Sequence, residues 1–144
     1  MRVAVRRLVI LTLAGLSAAG CSGEPEARRQ TAKNPPTIGF VDAPAAGSVL
    51  GPKFVTSGWA LDESNVERVR IYLDDQMVAN VPLAVMRPDV EKAYQVSFGI
   101  GQPHGFSVAI DSGTRKGYCT MRFEALDGRG ALTQFATVQV RIEP

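Results

Sequence analysis

One histidine, two cysteines and one tryptophan are spread over 144 residues, and each scarcity removes a class of chemistry. Catalysis by a Ser-His-Asp or Cys-His arrangement needs a base beside its nucleophile. His104, however, stands among Gly101, Gln102, Pro103 and Gly105, a setting that predicts a solvated loop histidine. Zinc lacks a ligand set. Asp62, Glu63, Asp74, Asp75 and Asp89 are oxygen donors, but no run has the spaced pattern of a calcium loop, so no metal is expected. Gly99-Ile100-Gly101 and Gly128-Arg129-Gly130 lack the strand-to-helix setting of a nucleotide-binding loop, and no cofactor is implied. A basic field is missing too. Of sixteen Lys and Arg, Arg2, Arg6 and Arg7 precede Cys21, whereas none of the fourteen acidic residues does. Thirteen basic residues against fourteen acidic ones leave the rest of the chain at net charge −1, which argues against a nucleic-acid partner.

What is present begins with a cationic head, a short apolar run from Leu8 to Leu16, and the small residues Ser17-Ala18-Ala19-Gly20 before Cys21. The run falls well short of the roughly 20 apolar residues that span a bilayer. The order instead reads as an export signal over residues 1–20. Leu16-Ser17-Ala18-Ala19-Gly20-Cys21 resembles the lipobox of bacterial lipoproteins, with Ala18 where that family most often has Leu. The resemblance implies diacylation of the Cys21 thiol, cleavage before it, and stable membrane attachment by several acyl chains. Ser22, rather than Asp, after the cysteine resembles lipoproteins sent to the outer membrane of Gram-negative bacteria. The alternative is an ordinary secretory signal cut after Ala19.

Residues 21–36 contain no large apolar side chain after the cysteine and so predict a flexible tether. Its reach is roughly 20 Å, from the square-root scaling of flexible chains. Residues 37–144 form one domain of ordinary size. Their apolar pattern has a period of two. Val69-Ile71-Leu73, Phe106-Val108-Ile110, Cys119-Met121-Phe123-Ala125 and Ala136-Val138-Val140-Ile142 each alternate with more polar neighbours, which predicts half-buried strands. Asp74-Asp75, Ser112-Gly113 and Asp127-Gly128-Arg129-Gly130 supply turns. With Thr37 to Val41, Phe54 to Leu61 and Gln76 to Val81, about seven short strands result. The expected fold is all-β, an antiparallel sandwich, with a closed barrel as the architectural alternative.

Gly58-Trp59-Ala60-Leu61-Asp62, Val66-Glu67-Arg68-Val69-Arg70-Ile71-Tyr72-Leu73-Asp74, Arg87-Pro88-Asp89-Val90 with Tyr94, Gly105-Phe106 and Ala125-Leu126-Asp127-Gly128-Arg129-Gly130 together resemble a bacterial immunoglobulin-like domain. Departures are Asp75 in place of a hairpin Gly, Tyr118 in place of His, and a loose match over Ala43 to Gly51. The resemblance implies an immunoglobulin-like β-sandwich and no particular reaction.

Pro82 to His104 is long and irregular for a hairpin loop, and such loops are either functional or packed by their own side chains. Arg87, Asp89 and Tyr94 are positioned to stitch it down, with Pro88 fixing a turn, or to line a ligand surface. Cys119 falls on an apolar strand face and reads as a core residue whose thiol pKa is raised. A disulfide from Cys21 to Cys119 is disfavoured, since one partner is on the tether and the other faces the core. Trp59 packs within its strand, or stacks on sugars if it shares an exposed face with Tyr72 and Tyr118. The resulting expectation is a non-catalytic binding or assembly module held to the membrane of the bacterial cell envelope, with an envelope protein or glycan as partner. A carbohydrate-binding or adhesion domain is the alternative.

Overall fold

The computed structural model describes residues 35–144; the signal, Cys21 and most of the tether lie outside these residues. Nine strands are present among them: β1 (Ile38–Ala43), β2 (Val49–Leu50), β3 (Lys53–Leu61), β4 (Val66–Leu73), β5 (Gln76–Val81), β6 (Val85–Met86), β7 (Pro103–Asp111), β8 (Gly117–Asp127) and β9 (Leu132–Ile142). One short helix, α1, spans Pro88–Ala93. The strands form two sheets, β1-β3-β7-β6 and β2-β9-β8-β4-β5, so the sandwich is realised and the closed barrel is not. All pairings are antiparallel except β2 with β9. The chain therefore starts in one sheet as β1 and crosses to the edge of the other as β2.

Alternation builds the core. Val69, Ile71 and Leu73 of β4 face inward beside Met121, Phe123 and Ala125 of β8 and Val140 and Ile142 of β9. Each fully buried aliphatic or aromatic side chain contributes about 1.5–3 kcal/mol relative to its exposed state. Across the interior, Phe106 of β7 lies 6.1 Å from Phe123, and Phe135 lies 6.4 Å from Phe106 and 6.1 Å from Phe123, centroid to centroid. At Gly39 of β1 and Gly58 of β3 the backbone approaches this aromatic cluster so closely that no side chain fits there. A Cβ on Gly39 would stand 2.5 Å from the Phe135 ring, and one on Gly58 would stand 2.8 Å from Phe106 Cζ.

Phe135 departs from the expected pattern, which placed it on the polar face of β9. The register of β8 with β9 shifts at Phe123 and Glu124, where Ala136 pairs with Phe123 but Gln134 pairs with Glu124. Phe135 is the extra residue of a bulge, and a bulge re-aims a side chain that strict alternation would turn outward.

The segment after β5 is also more ordered than expected. Val85–Met86 adds a short strand to β7, and Pro88 occupies the first turn of α1 rather than a simple turn. Proline suits that position because its missing N–H needs no partner there and its φ is already helical.

Candidate functional site

Gly58 faces the core phenylalanines, so its neighbours Trp59 and, by alternation, Leu61 point to the outer face of the four-stranded sheet. Their cross-strand partners on β1 are Phe40 and Ile38, both exposed. The lid formed by α1 and the residues after it lies over this face. Trp59, Leu61 and Val90 make a buried cluster of their own, with Val96 packed against it, separate from the main core. Trp59 is only 7% exposed. Tyr94, where α1 ends, packs its ring 4.9 Å from the Trp59 ring while remaining 52% exposed.

Arg87 straps the lid to the sheet. Its Nε and Nη2 donate to the Asp89 carboxylate at 2.9 and 2.8 Å, and its Nη1 donates to Asp42 Oδ2 on β1 at 2.5 Å. The forked guanidinium matches two carboxylates at once. Its stem crosses β7 at Gly105, where an added Cβ would meet Arg87 Cγ at 2.9 Å. The hydrogen bond from Arg87 holds the Asp89 carboxyl at about 2, and the hydrogen bonds to Asp89 and then Asp42 push the guanidinium further above its usual range. Asp42 had no signal in the sequence beyond being a polar residue at the end of a strand, 45 residues from its partner.

His104 is not the solvated loop residue expected. β7 begins at Pro103, which places His104 inside the strand and 6% exposed. Its Nε2 lies 3.3 Å from Glu91 Oε1 on α1, and the same carboxylate oxygen accepts the Gly101 N–H at 2.9 Å. The histidine thus faces a carboxylate of the lid without a hydrogen bond at Nε2, and the Glu91 bond to Gly101 closes the lid on itself.

Beside Tyr94 opens a cleft of about 260 Å³, lined mainly by Ile38, Leu61, Glu63, Val96 and Phe98, with Pro35 and Pro36 on one wall. Its surface is largely apolar, and Tyr94 and Gln95 stand at its side. Pockets that are mostly apolar with a few placed polar groups are the usual form of a binding site.

The other residues singled out from the sequence lie elsewhere. Tyr72 and Tyr118 belong to the five-stranded sheet, where Arg122 stands 4.0 Å over the Tyr72 ring and Arg141 5.8 Å over that of Tyr118. Trp59 is on the opposite sheet beneath the lid, so the three rings do not share a face. Asp62 accepts hydrogen bonds from the Thr37 hydroxyl (2.8 Å), the Ser64 hydroxyl (2.6 Å) and the Ser64 N–H (2.8 Å). Asp74 accepts the Thr120 N–H at 3.0 Å and closes the β4–β5 hairpin. These carboxylates are thus separated and engaged within the fold. Cys119 faces the core, 5% exposed. Burial, and after it the Asp74 carboxylate, push its thiol pKa up.

No protein-family model matches the chain, and no curated protein does. Among solved structures it is similar to the fibronectin(III)-like modules of Clostridium thermocellum CbhA, with a TM-score of 0.53 at 15% identity over 73% of this chain and 94% of the module. A lytic polysaccharide monooxygenase from Jonesia denitrificans gives a TM-score of 0.46 at 10% identity, over 69% of this chain and 60% of the enzyme. A Niemann-Pick type C2 protein from Japanese carpenter ant gives 0.42 at 10% identity, over 76% and 95%. The first likeness defines the fold, an immunoglobulin-like sandwich of the fibronectin(III) type. The other two do not inform the chemistry of this chain.

Proposed function

We propose that this protein is a lipid-anchored component of the bacterial cell envelope, in which Cys21 carries acyl chains, residues 22–36 form a tether, and the sandwich serves as a non-catalytic binding or assembly module. The outer membrane is its proposed site, with the domain facing either the periplasm or the cell surface. The observation that carries the binding reading is the half-exposed Tyr94 ring, packed on Trp59 at the side of an apolar cleft of about 260 Å³. An aromatic held in one orientation by a buried partner offers contact area at little entropic cost, which is how binding surfaces use tyrosine.

A carbohydrate-binding or adhesion module is the second reading. It is favoured by the same exposed ring standing beside the polar Glu63 and Gln95, a combination suited to the apolar faces and hydroxyls of a sugar. Purified peptidoglycan and envelope glycans, offered to wild type and Tyr94→Ala, separate the two: Tyr94-dependent retention supports the glycan reading.

Lipid attachment is tested directly. Radiolabelled palmitate is expected to enter the wild type and not Cys21→Ser, and the wild type is expected in the detergent phase of a cloud-point separation. Partition of both proteins into the aqueous phase overturns the anchor.

A further inference from the structure

The lid has its own small core, and its attachments to the rest of the sandwich are few. Trp59, Leu61 and Val90 form a cluster apart from the main core, so separating α1 from the sheet breaks no contact of the Phe106, Phe123 and Phe135 group. Six residues of helix are too short to persist without that docking. One polar tie completes the attachment, Arg87 between Asp89 and Asp42; His104 Nε2, 3.3 Å from Glu91 Oε1, makes no hydrogen bond. Beyond the helix, Gln95, Gly99 and Gly101 adopt positive φ, at 48°, 60° and 76°. Left-handed glycines let a chain reverse direction without steric cost, and they stand where a moving segment would rejoin β7.

We propose that residues 87–101 are a gate that opens as a unit while the sandwich stays folded, with Arg87 as its latch and Trp59 as the surface it uncovers. Opening joins Trp59 and Leu61 to the already exposed Phe40 and Ile38, their cross-strand partners, and turns isolated apolar residues into one continuous strip. Locally opening units of this kind are regions of few apolar contacts bounded by a stable core. Because residues 94–98 line the cleft beside Tyr94, opening takes that cleft apart and offers the strip in its place; the motion itself does not rest on the binding reading above.

The chain carries separate reporters for the two events. Trp59 is its sole tryptophan, and Cys119 lies in the main core. In a Cys21→Ser chain starting at residue 21, Cys119 is also the sole thiol, and neither measurement depends on acylation. Arg87→Ala removes the latch, and Gly105→Ala presses on the Arg87 stem and on Val85 of β6 without altering charge. Each is expected to raise acrylamide quenching of Trp59 at least threefold and amide exchange over residues 89–101 at least tenfold, with Cys119 labelling remaining at least tenfold slower than exchange of those amides. The parent itself, in low denaturant, is expected to exchange these amides by an opening less sensitive to denaturant than that of β4 and β8. Cys119 labelling as fast as the lid amides exchange, or lid amides in the parent that exchange only with the core strands, overturn the gate.

Discussion

At the scale of single residues, Arg87 organises the lid-side face, because one guanidinium satisfies two aspartates from different parts of the chain. Removing it leaves both carboxylates without their donor, whereas removing one aspartate leaves the other bond intact. Arg87→Ala should therefore lower the melting temperature by more than Asp89→Ala or Asp42→Ala, by about 5 °C for each kcal/mol lost. Double mutants that include Arg87 should be less than additive, since contacting residues share the energy each mutation removes. The carboxyl of Asp89 is depressed from 3.8 to about 2, so its contribution is fully present above pH 4 and is lost as pH falls from about 4 toward 2. The effect is small because the group is exposed; Asp89→Asn should flatten this acid limb in pH-dependent melting. Cys119 works in the opposite direction. Its folded-state thiol pKa lies above the usual 9.0, so the buried thiol favours folding below pH 9 and that contribution fades as pH rises above it. Cys119→Ala should remove part of the alkaline loss of stability, and the native thiol should resist labelling reagents until the domain unfolds.

At the scale of elements, the bulge in β9 determines whether the core closes. It turns Phe135 inward against Phe106, Phe123 and the bare backbone of Gly39. Phe135→Ala should cost about 3 kcal/mol, at the low end for phenylalanine because the ring is only partly buried, and denaturant titration measures it. Gly58→Ala should be at least as damaging, since the new methyl meets the Phe40 carbonyl and the Phe106 ring. Period-two alternation made β4, β7 and β8 legible from sequence, and turn residues marked where they end. The bulge was not legible, because one inserted residue changes the face of a side chain without changing composition. His104 was misplaced for a related reason: the glycines and Pro103 around it look like a loop, yet β7 starts at Pro103. The Arg87–Asp89 pair could be anticipated from a spacing of two residues. Asp42 and Glu91 could not, because their partners are chosen by how β1, α1 and β7 pack.

At the scale of the whole molecule, two faces of one sandwich differ in kind. The five-stranded sheet presents Arg122 over Tyr72, Arg141 over Tyr118, and carboxylates on both arginines, a surface whose charges are largely engaged with one another. The four-stranded sheet presents exposed Ile38, Phe40 and Val55 together with Tyr94 and the cleft. The chemistry of these faces decides which one meets a partner. That the lid side is the working face is tested most directly by placing a photoreactive amino acid at Tyr94 in one full-length protein and at Tyr118, which is 84% exposed, in another, then irradiating intact cell envelopes. A lid-side site predicts a discrete crosslinked product from position 94 and none from position 118. The same product from position 118 alone, or no product from position 94, would contradict it.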